Sequence, residues 1–291
     1  MVLDVSIFKV LFLILIIPIS LIFEGLRRKF TARMQNRIGP PIWQPILDVI
    51  KLFGKQKRDS KAEENIFFRI TTFLYLLTTF ILFLFIPFPL ISFPFDFILF
   101  IYITILSSGF YVLLGPAANS PYGLLGCMRD IILMVCYEII FVIALFSFIV
   151  YSNVQSLAYF NQTFAFWRLP LASICLTVVA LVEMKITPFD SPEAQTEIMG
   201  GIETEYSGRN LAFLELSKYL KFTFFIFLTT LLFFGIKDII IFFVISFVML
   251  FLFTLCQVTT CRYRLDQTLR ILIFVLLLAV IEFIRIKFIV W

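Results

Sequence analysis

Between Glu183 and Glu215 the chain reads EMKITPFDSPEAQTEIMGGIETEYSGRNLAFLE, and it carries seven of the 19 acidic residues there: Glu183, Asp190, Glu193, Glu197, Glu203, Glu205 and Glu215. Carboxylates this close in a partly dry site cannot all stay ionised. Repulsion and desolvation raise some of their pKa values toward neutrality, as a proton relay needs. Ionisable residues inside apolar runs extend the pattern. Glu138 lies fourteen residues beyond Leu124, roughly 21 Å along a helix that rises 1.5 Å per residue. Glu183 stands near the end of a later apolar run, and Glu215, Lys218 and Lys221 open the next, with Glu215 and Lys218 on one helix face. A charge at the bilayer centre costs about 2.5–3.5 kcal/mol even on the mild insertion scale, so such residues face a protein interior or a wet cavity and move protons or ions. The plainer alternative is structural salt bridging, for example of Lys218 or Lys221 with Glu215.

The elements that must position these groups are membrane helices. Of 291 residues 61% are apolar, 39 are Phe, and the mean hydropathy is +1.03. A water-soluble globule of this size has no interior large enough for that much apolar surface. The chain reads as an all-α polytopic membrane protein, a single membrane domain over 1–291 with eight spans. We place them at 4–25, 67–90, 97–115, 124–150, 169–187, 213–234, 238–257 and 268–291, each near the length that crosses a bilayer. The Pro87, Pro89 and Pro94 cluster separates the second and third spans, and a Gly235–Asp238 turn separates the sixth and seventh. Asp4 and Lys9 give a poor basic n-region and no small-residue cleavage site follows, so the first run is read as a retained span.

Ten of the 24 Lys and Arg residues fall between the first two spans: Arg27, Arg28, Lys29, Arg33, Arg37, Lys51, Lys55, Lys57, Arg58 and Lys61. The positive-inside bias puts this loop on the inner face. The ordered inner loops are then 26–66, 116–123, 188–212 and 258–267, so the acidic stretch lies inside with Arg262 and Arg264 beside it. The outer 151–167 segment has no Lys or Arg, whereas Arg285 and Lys287 fall on the unexpected side. Within the first loop Ile46, Val49, Ile50 and Phe53 recur at helical spacing before Gly54, which predicts a short amphipathic helix at the interface or over a cavity mouth. In the acidic loop Ser191-Pro192 offers an N-cap and first turn, with Glu193 favoured by the helix dipole. Glu193 and Glu197 are expected to share a face until Gly200-Gly201 ends the helix after two turns.

Several chemistries are absent from the sequence. There is no His, and the five Cys have no paired spacing, which leaves the chain without the usual haem and zinc ligands. Phosphate loops, nucleophile triads and nucleotide fingerprints are missing too, so no catalytic, cofactor-binding or metal residue is assigned. Arg27, Arg33 and Arg37, with Gln35 and Asn36, form a polar run after the first span that suits either headgroups or a docked protein.

These runs resemble a known family. Ala32-Arg33-Met-Gln-Asn-Arg37-Ile-Gly39-Pro40-Pro41 with Gln44-Pro45, Asp48 and Lys51-Leu52 is similar to the loop after the first helix of the membrane protein that joins the two arms of respiratory complex I, known in mitochondria as chain 1. Asn119-Ser120-Pro-Tyr122-Gly-Leu-Leu-Gly126, Arg129 and Tyr137-Glu138 resemble its fourth-helix motif. Pro188-Phe189-Asp190, Glu193, Glu197, Gly201 and Glu205-Tyr206 resemble its acidic loop, and Arg262-Tyr263-Arg264 with Asp266-Gln267 the motif before its last helix. Pro192-Glu193-Ala194 and Glu205-Tyr206-Ser207-Gly208 are more similar to the branch found in energy-converting membrane-bound nickel–iron (NiFe) hydrogenases and sulfur-reducing complexes. Lys185-Ile186 stands where the quinone-reducing branch usually has Asn-Arg.

The resemblance implies a membrane-anchoring and coupling subunit of a redox-driven proton or sodium pump in a prokaryotic cell membrane. Its expected partners are a peripheral arm with iron–sulfur clusters and a nickel–iron-type centre, antiporter-like membrane subunits and lipid. Coupling falls to Glu138, Glu183, Asp190, Glu193, Glu197, Glu203, Glu205 and Glu215. Docking or cavity lining falls to Arg27, Arg33, Gln35, Arg37, Asp48, Lys51, Arg129, Arg262, Arg264 and Asp266. One alternative adds a quinone cavity between the amphipathic helix and spans one and six. Another is a stand-alone secondary transporter, but the chain lacks the repeated halves typical of such folds.

Overall fold

A computed structural model describes residues 2–55, 65–90, 93, 95–152, 166–235 and 238–290. Lys57, Arg58, Lys61, Pro94, Lys237 and most of the 151–167 segment lie outside the described residues. Among the described residues the regular structure is entirely helical. Helix α1 is Val2–Met34, α2 Gln44–Gly54, α3 Ile66–Ile81, α4 Asp96–Ala117 and α5 Pro121–Ser152. Helix α6 is Pro170–Glu183, α7 the single turn Gln195–Ile198, α8 Gly208–Phe234, α9 Ile239–Thr259 and α10 Leu265–Val290.

Lys9–Met34, Ile66–Leu84, Asp96–Ala117, Pro121–Ser152, Gly208–Phe234 and Ile239–Thr259 are long and apolar enough to cross a bilayer. The chain is a polytopic membrane protein. Their outer faces fit a lipid solvent: Val10, Leu11 and Ile14 on α1, and Ile240, Val244, Val248 and Leu252 on α9, are large apolar residues left exposed at helical spacing. Helix α10, 26 residues long, carries the last predicted span.

The fifth predicted span is shorter than the sequence suggests. Helix α6 has 14 residues, so it rises about 21 Å, well short of a 30 Å hydrocarbon core. It stops because the Ile186 N–H reaches the Leu181 carbonyl at 3.3 Å and the Lys185 N–H reaches Val182 at 3.0 Å. That pair of bonds is a Schellman cap, whose turning residue adopts the left-handed conformation. Lys185 is that residue, at φ 52. Pro188, which lacks an N–H, then prevents the helix from resuming.

Helix α8 is the axis of the bundle, with 94% of its membrane window buried. Helices α1, α2, α3, α6 and α9 pack around it. Its aromatic residues interlock with theirs: Phe224 meets Phe83 at 5.7 Å, and Phe227 meets Phe23 at 5.6 Å and Phe242 at 5.3 Å, mostly edge to face. Helices α5, α6 and α10 form a second packed group joined to this axis through α4 and α6.

Helix α2 departs from its expected register. It buries Pro45 and Val49 against α1 and α8, whereas Ile50 is 62% exposed and Leu47 and Trp43 stand out with it. The apolar set therefore splits between the bundle and the surrounding interface. Gly54 belongs to the helix, and the chain leaves it at an extended Lys55.

Candidate functional site

The acidic loop between α6 and α8 is not one two-turn helix. Ser191–Glu193 is a 3-10 turn, Ala194 is extended at ψ 98, α7 follows, and Met199, Gly200 and Gly201 are all left-handed before a second 3-10 turn at Gly201–Glu203. Ser191 does not cap it through its side chain. Ala194 is fully buried, and the break there turns Glu193 and Glu197 apart. The two do not share a face: Glu193 points inward, and Glu197 pairs with Arg129 at 2.5 Å on the surface.

The loop is fastened at each end. Asp190 is clamped by both forks of Arg262, one at 2.7 Å. The Tyr263 N–H bonds the Pro188 carbonyl at 3.1 Å, and Thr187 donates to the Gln257 carbonyl at 2.9 Å. At the far end Tyr206 stacks on Phe68 with ring centroids 4.2 Å apart and donates to the Leu114 carbonyl at 2.8 Å. In the middle the loop lies against α5 where Gly126 permits it. A Cβ at Gly126 would stand 2.9 Å from the Pro192 carbonyl oxygen and 3.2 Å from the Gly201 Cα, so no larger residue fits without moving the loop.

Behind the loop is a cavity of about 230 Å³, room for about seven waters at liquid density. Five acids, Glu24, Glu183, Glu193, Glu203 and Glu215, and five bases, Arg27, Arg28, Lys185, Lys218 and Lys221, line it, with Tyr75, Tyr111, Tyr219, Phe222 and Met184. Most of the opposite charges are ion-paired within the lining. Lys218 bridges Glu193 at 2.6 Å and also contacts Glu203. Lys221 holds Glu183 at 2.7 Å, both buried, and Ser108 donates to Glu183 and accepts from Lys221 at 3.0 and 3.1 Å. Glu24, only 1% exposed, takes Arg27 at 2.7 Å and Arg28 at 3.0 Å, and Arg28 continues to Asp48 at 2.9 Å and to the Tyr219 hydroxyl at 2.8 Å.

A second charged line leaves the cavity toward α5. Lys185 pairs with Asp130 at 2.6 Å, with both side chains buried, and its ammonium rests 3.6 Å from the Tyr111 ring centroid. The Tyr111 hydroxyl donates to Glu193 at 2.5 Å. Burial pushes the Glu193 carboxyl up, but the ammonium groups of Lys218 and Lys185 outweigh it and hold the pKa below its ordinary value. Burial also pulls the Lys185 ammonium down, and Asp130 and Glu193 offset only part of that. Holding a lysine in the left-handed region costs about 1–2 kcal/mol, which glycine would not incur.

The predicted residues thus divide. Glu183, Glu193, Glu203 and Glu215 converge on the cavity with Arg27, and Asp48 braces its Arg28 wall. Glu215 does not bridge to Lys218 or Lys221, which take other partners. Glu138 is half-buried on α5 with one carboxylate oxygen enclosed and outside hydrogen-bond reach of a donor, and it is not among the lining residues. Its charge is felt with those of Glu183, Lys221 and Asp130. Asp190 and Glu197 serve as anchors, and half-exposed Glu205 lies outside the lining. Arg129, Glu197 and Arg264 line a recess of about 390 Å³, and Gln35, Arg37 and Arg27 another of about 310 Å³. Arg33, Lys51 and Asp266 are exposed near these recesses' helices. Glu24, Asp130, Tyr111 and Lys185 carry no role in the sequence-based assignment. Their signal was present, since each is a titratable group inside or at the end of a predicted span. Among the described residues no group of His, Cys, Asp and Glu side chains is arranged to hold a metal.

Comparison with known proteins agrees with this architecture. The family model described as NADH dehydrogenase matches residues 7–287. NADH-ubiquinone oxidoreductase chain 1 of Hyaloraphidium curvatum is 31% identical over 280 residues, 90% of this chain and 91% of that protein. Hydrogenase-4 component C of Escherichia coli (strain K12) is 27% identical over 208 residues, 68% of this chain and 66% of the relative. An NADH-quinone oxidoreductase subunit of Bacillus thuringiensis (strain Al Hakam) is 31% identical over 224 residues, 72% and 67% of the two chains. Among solved structures, a chain of the membrane-bound sulfane sulfur reductase, an archaeal respiratory membrane complex, superposes with a TM-score of 0.87 over 97% of this chain and 99% of that one, at 22% identity. By the reach of the family model and of the first of these relatives alike, this chain belongs to the NADH dehydrogenase family.

Proposed function

We propose that this chain is the membrane-anchoring and coupling subunit of a redox-driven ion pump. In this reading electron transfer takes place in a peripheral arm docked on the inner face, and the cavity converts that event into ion movement within the membrane. The observation that carries it is the convergence of five acids and five bases around one cavity behind the acidic loop. Such a chain of shared counter-ions has several pairings of similar energy, so a charge arriving at the loop redistributes them. Glu203 and Glu193 share Lys218 near the loop, and Glu183 with Lys221 lies deeper. Glu138 continues the line along α5.

The basic recesses at Arg27, Gln35, Arg37 and at Arg129, Arg264, with exposed Arg33, Lys51 and Asp266, suit the docking of an iron–sulfur protein. The relatives support this placement: one is a component of hydrogenase-4, and the structural neighbour is a respiratory membrane complex. The bacterial relatives also support a prokaryotic cell membrane. In this reading the remaining partners are antiporter-like membrane subunits, and the arm holds a nickel–iron-type or derived centre. Glu193→Gln in the assembled complex should leave electron transfer running while ion translocation per electron collapses. An unchanged ratio in sealed vesicles refutes the reading.

A second reading is favoured by the names of two relatives, which are quinone oxidoreductase subunits, and by the aromatic wall of Tyr75, Tyr111, Tyr219 and Phe222. There a quinone head enters the same cavity. Ten charged lining residues oppose it, because an apolar ligand would strip water from each of them. Solvent extraction of the purified complex decides: bound quinone supports this second reading.

A further inference from the structure

Lys185 occupies a position that the backbone reserves for glycine, yet its ammonium is placed with care. It lies between two carboxylates on different elements, Asp130 of α5 and Glu193 of the loop, with the Tyr111 ring beneath it. Both members of the Asp130 pair are dry, with side-chain exposures of 4% and 8%. Around them stand Cys127 and Glu138 from α5, Tyr75 from α3, Tyr111 from α4, Lys221 from α8 and Glu193 from the loop. Among these charged neighbours Lys221 is held by Glu183, which leaves Lys185 to neutralise Asp130. Glu193, in turn, does not own its counter-ion: it shares Lys218 with Glu203.

We propose that Lys185 is a movable counter-ion that swings past Tyr111 from Asp130 to Glu193 when Lys218 commits to Glu203, and that the uncovered Asp130 then takes up a proton. This rests on the coupling role of the cavity. The ring face keeps the ammonium stabilised during the crossing. A carboxylate left alone at this burial is costly, and protonation is the response that removes the charge. The proton enters from the hydrated cavity side, Lys185 keeps its own, and no bond other than that O–H forms. When Lys185 returns, the Asp130 proton is released. Asp130 lies eight residues before Glu138 on α5, roughly 12 Å along the helix. The switch therefore hands protonation from the loop to mid-helix.

The test uses the whole complex in sealed membrane vesicles, with ions moved per electron read by a pH-sensitive dye and by radioactive sodium uptake. Lys185→Gly suits the left-handed backbone and should assemble and pass electrons, with loss of ion movement. Lys185→Arg should retain part of it, and Asp130→Asn should match Lys185→Gly, with the double variant no worse than either. Infrared difference spectra of the unmodified complex should show a protonated-carboxyl band on reduction that is missing from Asp130→Asn. A normal ion ratio in Lys185→Gly beside an uncoupled Glu193→Gln overturns the switch and leaves the coupling role standing. Normal ratios in both overturn the coupling role itself. If Lys185→Gly does not assemble, the infrared band decides, and its absence from the unmodified complex overturns the switch.

Discussion

Glu24 illustrates how much a single cavity residue does. It is 1% exposed and accepts bonds from Arg27 and Arg28, whose side chains keep 23% and 32% exposure. Glu24→Gln removes the negative charge and leaves two guanidinium groups facing the cavity with one partner fewer. The expected cost is about 2 kcal/mol, toward the middle of the range for hydrogen bonds to charged groups because the arginines stay partly solvated. Thermal unfolding of the purified complex, followed by tryptophan fluorescence, should show the drop. Glu193 makes a second residue-scale prediction. Its folded pKa lies below its ordinary value, so its pairing stabilises the loop above the ordinary carboxylate range. That stabilisation is lost as pH falls through the depressed value. Proteolytic nicking of the 188–212 loop should therefore rise only in acid, and Glu193→Gln should abolish that acid dependence while raising nicking at neutral pH.

At the scale of elements, the loop works because α5 lets it approach. Gly126→Val would drive a branched side chain into Pro192 and Gly201, already 2.9 and 3.2 Å from an added Cβ. Overpacking of this kind costs about 1–3 kcal/mol. The loop rather than the helix should yield, so protease cleavage within 191–203 should increase with the far-ultraviolet helix signal unchanged. Undiminished protection would mean the loop is held by its ends alone. The same elements show what the sequence made legible. The helical membrane architecture follows from apolar run length, and Glu183, Glu193, Glu203 and Glu215 stand out by the cost of charge beside lipid. The loop's interior does not, because a Ser-Pro pair with acids four apart fits a helix, whereas the chain leaves helical geometry at Ala194 where the loop packs against α5 at Gly126. Nor does the shortening of α6 follow, since its cap turns on a lysine where the pattern would have required glycine. Asp130 hid in plain view as an acid within an apolar run.

The molecule as a whole gathers its polar chemistry toward one end of the bundle. The α1 C-terminus, α2, the acidic loop and the α9–α10 turn meet there, joined by Arg27 to Gln257 at 3.3 Å and by the Arg262–Asp190 clamp. The opposite end holds a smaller device, Arg285 on the buried Glu282 at 2.7 Å and on the Arg168 carbonyl at 2.8 Å. That contact also accounts for the basic residues on the unexpected side: Arg285 neutralises a carboxylate that α10 buries completely, and so it answers packing rather than topology. Orientation should then follow the basic first loop, with the cavity opening inward. Single cysteines at two exposed positions, Gln35→Cys near the cavity end and Trp167→Cys, 76% exposed in the native chain, report the two faces. An impermeant maleimide should label Trp167→Cys in intact cells and Gln35→Cys only in inverted vesicles washed free of the peripheral arm. The reverse pattern would place the cavity outside, where an electron-transferring arm fed from the cell interior could not reach it.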